Sequence, residues 1–276
     1  MAVNSKRGSI ISGKRSLWIF ILGVVMATAV AAYTTLAASQ AQESTMFNVL
    51  VFSKTAGYRH SAIDTGIATI QALGNQHGFS VDATEDTARF TDSGLAPYAV
   101  IIFLNTSGDV LDAAQQGALE RFIQNGNGFV GVHSASDTEY GWAWYGQLVG
   151  TYFADHPAIQ TAELTVVDNT HLATLGLPSP WTRTDEWYNF TFNPSGSVNV
   201  LLTIDETSYS GGTMGNPHPL AWYHEFDNGR SFYTALGHTE ASYSEPLFQK
   251  HLLGGILYAA GVDLTNHTFL PTIQSD

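Results

Sequence analysis

The stretch Tyr98-Ala-Val-Ile-Ile-Phe-Leu104, which continues into Asn105-Thr-Ser-Gly108, decides the fold of this chain. A short apolar run that ends in small polar residues is typical of a strand buried on both faces, as in a parallel sheet. Two further runs of the same kind are Asn48-Val-Leu-Val-Phe-Ser53 and Gly128-Phe-Val-Gly-Val132. The three runs predict neighbouring strands of one central sheet.

Apolar residues repeat at helical spacing between these strands. Ile63, Ile67 and Ile70 form one repeat, for which Ser61 is the predicted N-cap, and residues 112–124 form another. Strands that alternate with helices of this length predict right-handed βαβ units. The predicted fold class is therefore α/β, with a doubly wound, mostly parallel sheet whose ligands bind beyond the carboxyl ends of the strands.

The composition excludes several classes of function. Acidic residues outnumber basic ones by 24 to 11 among 276 residues, and the formal net charge of −13 argues against nucleic acid as a partner. The chain has no cysteine, so disulfides, thiolate zinc sites, iron–sulfur clusters and cysteine nucleophiles are all excluded. Any metal must bind through His, Asp or Glu, and a neutral or cationic small ligand is the expected partner.

The first 41 residues have the pattern of an export signal. A basic start precedes the apolar run Leu17–Ala38, and Ser39-Gln-Ala41 offers small residues for cleavage. A cleaved signal peptide and an uncleaved membrane anchor both remain open, because the apolar run is long enough to span a bilayer. Either alternative places the predicted domain, residues 47–263, and the tail, residues 264–276, outside the cytoplasm, with the membrane contacted only by the N-terminal segment.

The sequence Gly131-Val-His-Ser-Ala135 is typical of a nucleophile elbow at the end of a strand. His133 stands at the nucleophile position, where it could serve as a general base or a metal ligand. A structural histidine held by the backbone is the alternative interpretation. Ser134 is a competing nucleophile, and Asp137 is predicted to orient the imidazole of His133.

Histidines and carboxylates far apart in the sequence could assemble into one site. His60, His218 and His238 lie near predicted strand ends, and two or three imidazoles with one carboxylate would suit a divalent metal such as zinc. No pair has the close spacing that would make this prediction strong. A structural role for each histidine therefore remains open.

Asp185 and Glu186 are adjacent carboxylates among aromatic residues. Neighbours on an extended segment point to opposite faces, so only one of the two is expected to enter a pocket. Burial by the aromatic residues would raise the pKa of that carboxyl group toward general acid–base use. A salt bridge to Arg183 or Arg230 is the alternative.

A cluster of aromatic residues follows the elbow, in Tyr140-Gly-Trp-Ala-Trp-Tyr145. Trp144 and Tyr145 could stack on the apolar face of a sugar ring, although packing in the core is the commoner use of such side chains.

Seven ordered motifs across residues 47–261 resemble the ThuA-like (trehalose utilisation) family. They are Lys54–His60, Gly131–Thr138, His156-Pro157 with Gln160, Asp185–Phe190, Asp205–Tyr209, His218–Trp222 and Gly229–His238. The resemblance implies a three-layer sandwich like that of class I glutamine amidotransferases, which is flavodoxin-like. His133 replaces the cysteine of those enzymes, so glutaminase activity is not expected.

The same resemblance implies a role in the metabolism of trehalose and related disaccharides. Carried onto the matching positions, it implies a site formed by His60, His133, Asp137, Asp185, Glu186, His218, Arg230 and His238. Because the chain has an export signal, an extracellular glycan or its breakdown product is favoured over trehalose itself.

We therefore expect an exported enzyme that acts on a glycoside, or on a sugar already oxidised on the ring. His133 would be the base or a metal ligand, Asp185 or Glu186 the acid, and His238 a second proton carrier or ligand. The predicted substrate-binding residues are His60, Trp144, Tyr145, His218 and Arg230, the last as a clamp for an oxyanion or hydroxyl group. The alternative is a non-catalytic carbohydrate-binding module that uses the aromatic cluster.

Overall fold

The computed structural model describes residues 1–2 and 46–262 of the chain. Residues 3–41 of the predicted export signal and the predicted tail, residues 264–276, lie outside the described residues. Within the described part, no helix is both long enough and apolar enough to cross a membrane.

The described domain consists of strands alternating with helices in its first half and of mainly strands in its second half. The strands are β1 Asn48–Phe52, β2 Ser80–Thr84, β3 Val100–Leu104, β4 Gly128–Val132, β5 Phe153–Asp155, β6 Gln160–Val166, β7 Trp181–Asp185, β8 Asn189–Phe190, β9 Asn199–Ile204, β10 Pro219–Phe226 and β11 Gly229–Thr234. The helices are α1 Ile63–His77, α2 Asp92–Leu95, α3 Ala113–Gln124, α4 Ala143–Val149, α5 Glu240–Ser244 and α6 Pro246–Ala259.

One nine-stranded sheet runs through the domain in the order β2-β1-β3-β4-β11-β10-β9-β6-β7. The strands β2, β1, β3, β4 and β11 pair in parallel, and the remaining pairs are antiparallel. Seven of the nine strands consequently point the same way, since β9 and β7 run in the direction of the parallel group. The predicted α/β class with a mostly parallel sheet is confirmed.

The central strands are buried on both faces, as their apolar sequences predict. Every residue of β3 and β4 is buried, and helices α1 and α3 present their apolar repeats to the same core. The predicted cap of α1 is wrong, because the helix begins after Ala62 and has no side-chain cap. Helix α3, by contrast, starts with a complete capping box between Asp112 and Gln115.

The antiparallel half brings a distant segment to the carboxyl edge of the parallel half. β7 lies at the far end of the sheet order, yet the carboxylate of Asp185 at its end bonds the backbone that follows β11. The loops after β1, β4, β7 and β11 therefore meet at one edge, which is where ligands bind in folds of this class.

Candidate functional site

A cavity of about 400 Å³ opens at the carboxyl edge of the parallel strands. It is lined by imidazole, carboxylate and aromatic side chains from five segments of the chain, namely Tyr58, His60, Asp137, Phe153, His156, Glu186, Tyr188 and His238. Five of these residues carry titratable groups suited to acid–base or metal chemistry, which makes this cavity the candidate active site.

His133 stands at the predicted elbow in a conformation that few side chains adopt. Its φ of 50° lies in the left-handed region, and the residue starts a short 3₁₀ turn directly after β4. Gly131 permits this close turn, because a Cβ atom there would lie 2.9 Å from the ring of Tyr233. Such a conformation costs about 1–3 kcal/mol and persists only where surrounding contacts enforce it.

The imidazole of His133 is fully buried below the cavity and its orientation is fixed by the backbone. Its Nδ1–H donates to the carbonyl oxygen of Ala235 at 2.7 Å, and the hydroxyl of Tyr233 donates to the carbonyl of His133 at 2.8 Å. The other ring nitrogen, Nε2, therefore points away from the protein backbone and toward Glu186 and His238. Both ring nitrogens are engaged, so His133 fits a ligand or positioning role better than that of a base acting directly on substrate.

Three donor atoms from three separate loops meet next to the cavity. His133 Nε2 lies 3.1 Å from His238 Nδ1 and 3.3 Å from Glu186 Oε2, and His238 Nδ1 lies 3.0 Å from the same carboxylate oxygen. His60 joins them, and one ligand atom from each of the four residues lies within 4.8 Å of the others. This His60/His133/Glu186/His238 group, hereafter the imidazole cluster, is the part of the described chain best suited to hold a metal.

Glu186 carries the one carboxylate of the imidazole cluster. Burial opposes its ionisation, but hydrogen bonds with His133 and His238 outweigh burial and lower the pKa of Glu186. Its second oxygen, Oε1, accepts from His156 Nδ1 at 3.0 Å. Both carboxylate oxygens are thus held, and Glu186 is an anion at the centre of several imidazoles.

The two imidazoles of the cluster that line the cavity, those of His60 and His238, have pKa values shifted in opposite directions. Burial and the neighbouring His133 and His238 lower the pKa of His60 to about 3, so His60 is neutral at ordinary pH. For His238, burial alone would lower the pKa, but the hydrogen bond to Glu186 and nearby carboxylates raise it. His238 can therefore carry a proton near neutral pH, whereas His60 cannot.

Asp137 is the carboxylate of the cavity that lies outside the imidazole cluster. It does not orient His133 as predicted, because Ala235 holds the imidazole; instead it accepts a hydrogen bond from the hydroxyl of Tyr140 at 2.7 Å. Burial raises the pKa of Asp137, although the hydrogen bond from Tyr140 and the nearby imidazole of His133 partly oppose that change. A half-buried carboxylate of raised pKa that faces a cavity is suited to accept a proton.

Asp185 lies beneath the site and is fully buried. Its carboxylate accepts from the backbone N–H groups of Gly237 and His238, at 3.0 and 3.2 Å, and pairs with Arg183 at 3.2 Å. The prediction that only one of the two adjacent carboxylates enters a pocket holds for the geometry, since Glu186 lines the cavity and Asp185 does not. Asp185 positions the His238 loop rather than acting as an acid on substrate.

Two of the predicted substrate-binding residues lie away from the cavity. Arg230 is at the start of β11, paired with the first residue of β4, and donates to the carbonyls of Ala259 and Gly126 at the opposite edge of the sheet. It cannot clamp a substrate at the carboxyl edge. His218 is buried outside the cavity lining, between the carboxylate of Glu206 at 2.8 Å and the carbonyl of Tyr188 at 2.9 Å.

The predicted aromatic sugar platform is a packed cluster. Tyr145 is fully buried and its hydroxyl donates to the carbonyl of Ala135. Trp144 stacks on Trp142 and its indole N–H donates to Asp227, in the turn after β10. Packing, the commoner use of such residues, applies to Tyr145, and neither side chain lines the cavity.

Four residues that line the cavity were not predicted from the sequence to be site residues, namely Tyr58, Phe153, His156 and Tyr188. Tyr58 and His156 lie inside the ordered motifs that were noted, but nothing in their spacing distinguishes them as site residues. The ring of Tyr188 packs against that of His133, with ring centres 4.2 Å apart and a tilt of 33° between the planes, and the ring centre of Phe153 lies 4.3 Å from that of Tyr188. Only the return of the Glu186–Tyr188 segment over the sheet brings these rings together.

Comparison with known proteins agrees with this description. A family model described as ThuA, trehalose utilisation, matches residues 48–259. The structure is similar to that of a ThuA-like protein from Bacteroides uniformis (TM-score 0.68, 24% identity, 82% of this chain and 96% of that chain covered). It is also similar to a ThuA-like protein from Parabacteroides merdae (TM-score 0.67, 20% identity, 82% and 93% covered).

A comparison with curated proteins found no match. The family match spans well over half of the chain. The chain belongs to the ThuA (trehalose utilisation) family.

Proposed function

We propose that this protein is an enzyme of sugar metabolism that moves a proton at a carbon next to the carbonyl group of a ring-oxidised sugar, such as a ring-oxidised glycoside. One observation carries the proposal: Asp137 lines the same cavity as three members of the imidazole cluster, His60, Glu186 and His238. A base and a positively polarised group on two walls of one cavity are the parts that this reaction requires.

The walls of the cavity suit a neutral sugar. The rings of Tyr58, Phe153 and Tyr188 offer apolar surfaces of the kind that stack on sugar rings, and the imidazoles supply hydrogen-bond partners for hydroxyl groups. The acidic net charge of the chain disfavours an anionic ligand. The family's link to trehalose utilisation supports a glycoside or a product of one.

Each residue of the cavity has a defined part in the proposed step. Asp137 accepts the proton from carbon, and the hydroxyl of Tyr140 keeps the carboxylate in place. The electron pair of the broken C–H bond moves to the carbonyl oxygen, where the protonated imidazole of His238 stabilises the negative charge. Return of the proton from Asp137 to the same carbon restores the sugar, whereas its delivery to the former carbonyl carbon, with the proton of the adjacent hydroxyl group passing to the oxyanion, moves the carbonyl group by one carbon.

Two other functions are less well supported. A glutaminase would need a cysteine at the elbow, and His133 occupies that position in a chain without cysteine. A carbohydrate-binding module built on the aromatic cluster would need Tyr145 at the surface, and Tyr145 is buried. A protein that only binds sugar also does not require a half-buried carboxylate of raised pKa, such as Asp137, in its cavity.

The proposal is tested by incubating the full chain with native and ring-oxidised disaccharides and recording NMR spectra over time. We expect new sugar signals with the oxidised set, and Asp137→Asn should slow their appearance by about 10²- to 10⁴-fold, the usual contribution of one acid–base group. Arg230→Gln is the control and should leave the rate unchanged. Line broadening of the sugar signals without new signals would contradict an enzymatic function and indicate a sugar-binding protein.

We further propose that the protein acts outside the cytoplasm. The basic and apolar pattern of residues 1–41 supports export. The test is to fractionate cells and medium and to measure the mass of the protein in each fraction by mass spectrometry. A full-length mass together with recovery in the cytoplasmic fraction would contradict export.

A further inference from the structure

The spacing of three donor atoms in the imidazole cluster is that of a tetrahedral metal site. Zinc binds His nitrogen and carboxylate oxygen at about 2.0–2.1 Å, and two ligands at a tetrahedral angle are then about 3.3 Å apart. The three separations among His133 Nε2, His238 Nδ1 and Glu186 Oε2 are 3.1, 3.3 and 3.0 Å. One ion can therefore contact all three atoms with almost no movement of the protein.

The hydrogen bonding of His133 independently indicates a cation at this point. Its Nδ1–H is committed to the carbonyl of Ala235, so a ring without the second proton that would bond Glu186 directs the lone pair of Nε2 at a carboxylate oxygen. Two electron-rich atoms 3.3 Å apart in a buried site repel each other unless a positive group lies between them. A metal ion supplies that charge and satisfies both atoms.

The outer contacts are those of a metal centre. Ligating histidines commonly donate their second ring N–H to a carbonyl, as His133 does to Ala235, and ligating carboxylates are themselves hydrogen-bonded. His156 binds the second oxygen of Glu186, and Asp185 fixes the backbone N–H of His238. Each of the three donor residues is thus held by a partner outside the triangle.

The fourth corner of the tetrahedron faces the cavity. His60, Glu186 and His238 line the cavity, whereas His133 is buried below them. Nδ1 of His60 lies 3.3 Å from the hydroxyl oxygen of Ser134, and its ring stands edge-on to those of His133 and His238. Three protein ligands with an open fourth position are typical of catalytic rather than structural zinc sites.

We propose that His133, Glu186 and His238 bind one divalent metal ion of the zinc type, with the fourth position open to the cavity beside His60. Two imidazoles and one carboxylate suit zinc or cobalt rather than magnesium or calcium, which prefer oxygen ligands. The proposal does not depend on the identity of any sugar. Metal binding can succeed or fail independently of the proposed reaction.

The test is a titration of the full chain, freed of metal by a chelator, with Zn²⁺ followed by calorimetry and with Co²⁺ followed by visible absorption. We expect one equivalent of each ion to bind, and the cobalt form to show the intense absorption of a four-coordinate site. Glu186→Gln and His238→Ala should each weaken binding by at least about 100-fold, since loss of an outer-shell contact alone costs about 10- to 100-fold.

The chain contains a matched control. Glu206 pairs with His218 at 2.8 Å, but neither residue belongs to the imidazole cluster. Glu206→Gln should therefore keep full metal affinity. Circular dichroism of each variant shows whether it is folded.

Two results would overturn the proposal. One is a folded Glu186→Gln variant that binds zinc as tightly as the unaltered chain. The other is weak, octahedral cobalt absorption, or no binding at all, in the unaltered chain.

Discussion

Replacement of Asp185 by alanine should destabilise the whole domain and disorder the His238 loop. The buried carboxylate accepts hydrogen bonds from Gly237 and His238 backbone N–H groups at 3.0 and 3.2 Å and from the hydroxyl of Ser242 at 3.1 Å. It also pairs with Arg183 at 3.2 Å, and both side chains are almost completely buried. The substitution leaves these donors without their acceptor.

The expected loss follows from the measured cost of breaking buried ion pairs. Removing one partner typically costs about 3–5 kcal/mol. Arg183 keeps its second carboxylate partner, Glu245 at 3.1 Å, so the lower end, about 3 kcal/mol, is expected. For a domain of this size each kcal/mol lowers the melting temperature by about 2–4 °C, which gives a decrease of about 6–12 °C.

Differential scanning calorimetry measures this decrease, and a surface pair provides the control. Asp92 binds Arg121 at 2.8 Å, but the two side chains are 68% and 54% exposed, and exposed pairs contribute at most about 1 kcal/mol. Asp92→Ala should therefore lower the melting temperature by no more than about 4 °C. If Asp185→Ala melts within the range of the Asp92→Ala variant, the assignment of Asp185 as the residue that fixes this loop is refuted.

Three further predictions concern the core and the residues away from the cavity. Burial lowers the pKa of His251 to about 3, below the ordinary 6.5, so the native state binds fewer protons than the unfolded state. The free energy of unfolding should therefore fall by up to about 1.4 kcal/mol per pH unit below pH 6.5. His251→Gln should reduce that slope in urea titrations at pH 4–7. Equal slopes would contradict this. Gly131→Ala should cost about 1–3 kcal/mol of unfolding free energy, because its Cβ meets the ring of Tyr233 at 2.9 Å, and an unchanged urea midpoint would show that the elbow tolerates a side chain. Trp144→Ala should leave sugar binding in NMR titrations unchanged, and a weakened affinity would restore the aromatic platform.

The parallel half of the fold follows from the sequence alone. The runs that form β1, β3 and β4 are apolar throughout, and the helices between them show helical periodicity, so both signals are local. β7 was not predicted, because four of the five residues in Trp181–Asp185 are polar, although its positions alternate between buried and exposed. Its place at the end of the sheet is set by pairing with β6 rather than by its own apolar content.

The members of the imidazole cluster were each recognisable, but their assembly was not. The strand ends before His60 and His133 indicated one shared edge, and the structure places both there. Glu186 reaches this edge only because the chain after β7 returns over His133, a long-range contact that no spacing encodes. Arg230 was wrongly predicted to bind substrate, because it belongs to the same sequence motif as His238. The length of β11 places these two residues at opposite edges of the sheet.

The most direct test of the proposed function follows proton exchange on the sugar. A ring-oxidised disaccharide is incubated in D₂O with the full chain, and NMR records the loss of the C–H signal next to the carbonyl. We predict exchange that requires the enzyme and slows by at least about 10²-fold with Asp137→Asn. Exchange at the same rate with Asp137→Asn, or a bound sugar whose C–H signal persists, would contradict proton transfer by Asp137 in this cavity.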